Sequence, residues 1–66
     1  MLNSRDIVRL TKLLGGDESN PVEVGDLGII DTLYGEPDPV YNVIWFRHGP
    51  MVTIAYTESQ LEKLDD

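Results

Sequence analysis

The sequence predicts a small all-β domain, and three observations support this fold class. The chain has 66 residues, which is one domain at most. Short segments rich in β-branched and aromatic residues alternate between apolar and polar positions, as residues 40–46 show best. Glycine and proline separate these segments, which is typical of turns between strands. We therefore expect a single domain over residues 1–66.

The first segment, residues 6–14, fits either a strand or a helix. As a helix, it would place Ile7, Leu10 and Leu13 on one face. As a strand, it would direct Val8 and Leu10 to one side and Arg9 to the other. The residues alone leave both interpretations open, and the resemblance described below favours the strand.

Residues 15–21 form the clearest loop, because they combine paired glycines with turn-forming residues and a proline. The loop and its surroundings are acidic, with Asp17, Glu18, Glu23 and Asp26 close together. Their spacing does not follow the helix–loop–helix calcium pattern. We therefore expect a solvated loop that is available to a partner, and no metal or other cofactor.

The stretch at residues 24–30 contains a predicted tight turn at Gly25 and Asp26, followed by a strand. Gly28 within that strand predicts a bulge or a close approach of another backbone. The glycine spacing is not that of a phosphate-binding loop, since no lysine followed by serine or threonine comes after it.

Residues 35–39 predict a second turn, and residues 40–46 a strand with two different faces. One face carries Tyr41, Val43 and Trp45, and the other carries Ile44 and Phe46. If the first face points into the core, Ile44 and Phe46 lie outside as a possible contact surface. Residues 47–50 then predict a turn that joins this strand to residues 51–56 as a hairpin.

Near the end of the chain, Thr57 and Gln60 match the capping-box pattern, which predicts a single helical turn. Leu61 and Leu64 follow and fit either that turn or a short closing strand.

The order of these elements resembles an SH3-like barrel. The opening residues 6–12, the second-strand motif Gly25-Asp26-Leu27-Gly28-Ile29-Ile30, residues 41–45 and residues 49–64 are similar to a family of small bacterial and phage proteins of unknown function. That resemblance implies a five-stranded SH3-like barrel with one short helical turn before the last strand. It implies no activity. Residues 24–46 are also similar to the KOW motif, which would imply contact with RNA or with the transcription machinery.

Charge argues against the nucleic-acid alternative. The sequence contains twelve acidic and five basic residues, and the net charge is −7. Binding to a phosphate backbone depends on lysine and arginine displacing counterions. An acidic surface instead favours solubility or attraction of a basic partner. Cysteine is absent and no apolar run reaches the length of a bilayer span, so we expect a cytoplasmic protein without a membrane partner.

The residues do not predict catalysis. His48 is the only histidine, and its place in a predicted turn gives it no evident orienting partner. A closed small barrel is filled by side chains, which leaves little room for a substrate.

We therefore expect a non-enzymatic protein-interaction module whose partner the sequence does not identify. The predicted contact residues are Asp17, Glu18, Glu23, Ile44, Phe46, Arg47 and His48. One alternative is an acidic phage-type regulator or inhibitor that blocks a basic site on a host protein. Another is a KOW-like module that binds nucleic acid or the transcription machinery, and a third is a homo-oligomer that covers the outer apolar face.

Overall fold

A computed structural model describes residues 2–13, 20–50 and 54–64, and its regular secondary structure is all β apart from one 3-10 turn. The elements in chain order are β1 (Ile7–Leu10), β2 (Leu27–Tyr34), β3 (Val40–Trp45), β4 (Gly49–Pro50), β5 (Tyr56–Thr57), a 3-10 turn (Glu58–Gln60) and β6 (Leu61–Lys63). The predicted all-β class is therefore confirmed.

The strands form one antiparallel sheet with the order β4-β3-β2-β1-β6, and β5 also pairs with β3. The sheet has six strands rather than the predicted five, because the segment that returns beside β3 is divided. β4 pairs with Ile44 and Trp45, whereas β5 pairs with Val40 and Tyr41 at the other end of β3. Among the described residues no pairing joins β6 to β4 or β5, so the sheet is open rather than closed.

The first segment is a strand, as favoured from the sequence. Val8 lies opposite Gly28, Leu10 lies opposite Leu61, and both Val8 and Leu10 are fully buried. Arg9 between them is exposed. Leu13 is 41% exposed, whereas Leu10 is fully buried, so the residues that a helix would have placed on one face are not buried together. Strand pairing on both sides thus determines the structure of this segment.

Ten apolar residues form one core. Tyr41, Val43 and Trp45 all face inward, which confirms the predicted face of β3. The rings of Trp45 and Tyr56 meet edge to face with centroids 5.3 Å apart, a favoured aromatic arrangement. The complete core consists of Leu2, Val8, Leu10, Val22, Ile30, Tyr41, Val43, Trp45, Tyr56 and Leu61.

Gly28 lies where β3 packs closely against β2. A Cβ atom placed on it would stand 2.8 Å from the Ile44 carbonyl oxygen and 2.9 Å from Cε3 of Trp45. The predicted close approach is therefore present. The register shift in β2 lies between Ile30 and Thr32 and not at Gly28.

The predicted capping box and the short final strand are both confirmed. Gln60 is 2% exposed. Its Oε1 accepts the backbone N–H of Thr57 at 3.0 Å, and its Nε2 donates to the Lys12 carbonyl at 3.2 Å. This side chain therefore connects the 3-10 turn to the segment that follows β1.

The hairpin after β3 turns earlier than predicted. Phe46, Arg47 and His48 form the turn, while Gly49 and Pro50, which were assigned to the turn from the sequence, already pair with β3. The reason is Gly49, whose φ of +77° lets the chain reverse and enter the strand at once. Of the predicted strand over residues 51–56, residues 51–53 lie outside the described residues, and only Tyr56 is in a strand.

Candidate functional site

The solvent-facing side of the sheet carries a continuous row of apolar residues, which we call the outer face. Ile7 of β1 lies opposite Ile29 of β2, Ile29 lies opposite Ile44 of β3, and Ile44 lies opposite Pro50 of β4. Directly opposed residues of antiparallel strands project from the same side of the sheet. The three isoleucines are only partly buried and are not among the side chains that pack against the core.

A second row continues the outer face toward the turns. Arg9 lies opposite Leu27, and the backbone N–H of Phe46 donates to the Leu27 carbonyl at 3.0 Å. Leu27 is 41% exposed and Phe46 is 59% exposed, and Val24 in the adjoining turn is 58% exposed. We call Val24, Leu27, Phe46 and Arg47 the hairpin patch.

A shallow depression of about 290 Å³ lies within the hairpin patch, lined by Gly25, Asp26, Leu27, Phe46 and Arg47. Gly25 has a φ of +98°, and no atom lies within 4 Å of the position that a Cβ would take. The depression therefore opens over bare backbone at the turn between Val24 and Gly25.

A buried carboxylate supports the patch from beneath. Asp26 is 6% exposed. Its Oδ1 lies 3.1 Å from Nη1 of Arg47, and its Oδ2 lies 3.2 Å from Nε2 of His48. Oδ2 also accepts the backbone N–H of Glu23 at 2.8 Å. Both oxygens thus have partners in the chain itself, as a buried carboxylate requires.

The environment of Asp26 lowers the pKa of its carboxyl group below the ordinary value. The largest cause is the hydrogen bond from the Glu23 backbone N–H, which stabilises the charged form; the positive charge of Arg47 and the hydrogen bond with His48 act in the same direction. Desolvation opposes these effects without overcoming them. Asp26 is therefore a carboxylate at neutral pH, and it holds Arg47 electrostatically.

The backbone of Asp26 is fixed as firmly as its side chain. Its N–H donates to the Glu23 carbonyl at 3.0 Å, and its own carbonyl accepts the N–H of Leu10 at 2.9 Å. The turn before β2 is thereby attached to β1, and through Arg47 and His48 it is attached to the turn after β3. The arrangement holds two separate turns together and presents Arg47 outward, with 70% of its side chain exposed.

The structure brings four of the seven predicted contact residues to the same region. Ile44 lies on the outer face, Phe46 and Arg47 lie in the hairpin patch, and His48 lies beneath it against Asp26. Glu23 contributes its backbone N–H to Asp26, while its side chain is exposed. The other two, Asp17 and Glu18, lie outside the described residues.

Three residues of this site were not predicted from the sequence. Val24 and Leu27 look like ordinary apolar residues of a turn and a strand, and alternation alone does not place them beside Phe46. Asp26 was assigned to the acidic surface, yet it is one of the two buried polar or charged residues among those described. The available signal in the sequence was the position of this aspartate, after a glycine and before a strand. Its partners Arg47 and His48 lie 21 and 22 positions further along the chain.

A second depression of about 410 Å³ lies on another part of the surface. It is lined by Pro37, Asp38, Pro39, Thr57, Glu58 and Ser59. Glu58 accepts the hydroxyl of buried Tyr41 at 3.2 Å, and Asp38 is exposed. The groove therefore combines proline rings with carboxylates.

No group of three or more histidine or carboxylate side chains within the described ranges could hold a metal ion. The same ranges contain no helix that is long and apolar enough to cross a membrane.

Comparison of the chain with protein-family models, with curated proteins and with solved structures finds no match in any of the three. The resemblance to SH3-like and KOW proteins accordingly rests on the sequence motifs themselves.

Proposed function

We propose that this protein is a non-enzymatic interaction module that docks a protein partner on the outer face and the hairpin patch. The observation that carries this proposal is the grouping of Val24, Leu27 and Phe46. They are three of the five large apolar side chains that are exposed among the described residues. Leu27 and Phe46 line one depression, and Val24 lies in the turn directly before Gly25, which also lines it. Exposed apolar side chains scattered singly need no explanation, whereas a contiguous group is typical of an interaction surface.

The composition of the patch supports the same function. Aromatic residues and arginine are enriched where binding energy concentrates in protein interfaces. Phe46 and Arg47 occupy a tight turn that Asp26 holds in place, so a partner would meet a surface whose shape is already formed. Such preorganisation lowers the entropy that binding costs.

The experiment is affinity capture from the native host with three forms of the protein. Wild type is compared with the double variant Ile44→Ser, Phe46→Ser and with the matched control Tyr34→Ser. Tyr34 is also an exposed aromatic residue, at 53%, but it lies at the far end of β2. We expect a partner that wild type and Tyr34→Ser retain and the double variant loses.

Circular dichroism of all three forms establishes that each is folded. A partner that the folded double variant captures as well as wild type does would rule out docking on this surface. A double variant that does not fold would show that Ile44 and Phe46 stabilise the domain. Phe46→Ser alone, at the more exposed position, then becomes the decisive comparison.

A second candidate is the acidic regulator that occupies a basic site on another protein. The observation in its favour is the second depression, the groove of about 410 Å³ beside the 3-10 turn. There Asp38 is exposed between two prolines, and Glu36 is exposed next to them. Binding through this groove would weaken steeply as salt rises, because exposed charges are screened. It would also weaken in Asp38→Asn and be unchanged in Phe46→Ser.

We also propose that the sheet is an SH3-like barrel. In support, β5 pairs with β3 whereas β6 pairs with β1, so these two strands lie on opposite sides of β2. Only a short segment of chain joins them. The 3-10 turn lies between them. An experimental structure that includes residues 14–19 and 51–53 tests this assignment.

A further inference from the structure

We infer that the hairpin patch binds an acidic apolar segment, in which a large apolar side chain lies next to a carboxylate. This inference rests on the proposed function and specifies the chemistry of the partner. Its two parts are the depression over Gly25, which accepts the apolar side chain, and the guanidinium of Arg47, which accepts the carboxylate.

The depression suits a single aliphatic side chain. Its walls are Leu27 and Phe46 and its base is the backbone at Gly25. The volume of about 290 Å³ is at the lower end of small-molecule pockets, which suits one side chain of a peptide better than a larger ligand. The carboxylate of Asp26 also borders the depression, but its charge is balanced by Arg47.

The guanidinium of Arg47 has more N–H donors than its bond to Asp26 uses. The Arg47 side chain makes one hydrogen bond or ion pair with the described residues, from Nη1 to Asp26, and 70% of the side chain is exposed. A guanidinium carries five N–H donors in a rigid fork that matches a carboxylate in two parallel hydrogen bonds. Asp26 holds one side of the fork, and the exposed side chain leaves the remaining donors accessible to a partner at the depression that Phe46 also lines.

The charges around the patch favour an acid over a base. Arg9 lies opposite Leu27 at one side of the row, and Arg47 follows Phe46 at the other. Arg9 is neutralised in part by its ion pair with Glu62, and Glu23 precedes the patch with an exposed carboxylate that does not line the depression. A cationic segment seated here would meet the exposed guanidinium of Arg47, whereas an anionic one could accept hydrogen bonds from its N–H donors. The opposing carboxylate of Asp26 is buried and both of its oxygens already have partners.

The test is an NMR titration of the isotope-labelled full chain with three synthetic peptides of equal length. Each is a glycine–serine peptide with a different centre: leucine between two glutamates, leucine between two lysines, or serine between two glutamates. We expect the first peptide to shift the backbone amide signals of Gly25, Leu27, Phe46 and Arg47 with a dissociation constant in the millimolar range, as suits one buried side chain and one ion pair. The other two should cause small shifts or none.

Variants separate the two parts of the inference. Arg47→Gln should weaken the leucine–glutamate peptide about tenfold, which is the order expected for losing hydrogen bonds to a charged group. Lys12→Gln makes the same change of net charge at an exposed residue that lines neither depression, and it should leave the affinity unchanged.

Each remaining outcome has a definite meaning. Equal or tighter binding of the leucine–lysine peptide overturns the inference, and so does the absence of shifts in the patch with the leucine–glutamate peptide. If capture of a partner depends on Phe46 but not on Arg47, the proposed function stands and the acidic chemistry is wrong. If neither residue matters to capture, both fail.

Discussion

Replacing Gly28 with alanine tests the central packing of the fold. A methyl group at this position would lie 2.7 Å from Cγ1 of Val43, 2.8 Å from the carbonyl oxygen of Ile44 and 2.9 Å from Cε3 of Trp45. Comfortable carbon contacts are about 3.5–4.0 Å, so the two carbon contacts are too short by at least roughly 0.6 Å. The contact with the carbonyl oxygen is also too close for a methyl group. The carbonyl is backbone, and it cannot withdraw unless β3 moves away from β2.

The expected loss follows from these contacts. Overpacking a close-packed core by one methyl group costs about 1–3 kcal/mol, and the backbone contact places Gly28→Ala in the upper part of that range. Alanine recovers about 0.5 kcal/mol by restricting the unfolded chain. The net destabilisation is therefore about 2 kcal/mol, which is a large part of the roughly 3–10 kcal/mol expected for a domain of this length.

Urea unfolding measures this loss through the fluorescence of Trp45, the only tryptophan, which is 1% exposed in the folded state. With a slope near 1 kcal/mol per molar, the midpoint should fall by about 2 M. Gly49→Ala is the matched control, because no atom lies within 4 Å of its Cβ position and only its φ of +77° opposes alanine. That strain costs about 1–2 kcal/mol. A Gly28→Ala protein less than about 0.5 kcal/mol below wild type would refute the packing argument.

Three further predictions concern the side chains of Gln60, Asp26 and the pair Ile44 and Phe46. Gln60→Leu leaves two backbone groups without their partner, so the free energy of unfolding should fall by about 2 kcal/mol in the same urea assay; no change would mean that the connection from the 3-10 turn to β1 contributes nothing. The lowered pKa of Asp26 makes a contribution to stability that is complete well above the ordinary pKa of 3.8 and disappears as the pH falls through the lowered value. Wild type should therefore lose more stability than Asp26→Asn between pH 6 and pH 2, and parallel losses would show that the carboxylate contacts are not stabilising. Ile44→Ser with Phe46→Ser should keep the far-ultraviolet circular dichroism of wild type at a cost of about 1–2 kcal/mol, because both side chains are partly exposed; unfolding would place them in the core.

Local pattern was enough to divide β3 into its two faces. Alternation in β3 placed Tyr41, Val43 and Trp45 on one face and Ile44 on the other, because the side-chain period of a strand is two wherever the strand lies. The fold then showed that the first face is the inward one. The same reasoning identified the capping box, since Thr57 and Gln60 are three residues apart and interact within one turn. These features depend on neighbours in the sequence.

The contacts that build the site depend instead on residues far apart. Arg47 and Asp26 are separated by 21 positions, and nothing in either segment indicates that their turns meet. The division of the returning strand into β4 and β5 was missed for a related reason, because it follows from where each segment meets β3. His48 lies in a turn as predicted, but its partner could not be found without the fold.

The register between β2 and β3 connects the packing of the core at Gly28 to the geometry of the hairpin patch. Gly28 lies opposite Trp45, and this pairing places Leu27 beside Phe46 on the other side of the sheet. A shift by one residue would turn the inward side chains outward and would separate the two walls of the depression. If Gly28→Ala folds by moving β3 along β2, it should therefore lose the capture and the peptide binding that depend on Phe46, although the substitution lies on the opposite side of the sheet. If Gly28→Ala is destabilised but still binds like wild type, the register is unchanged and the strain is absorbed within the core.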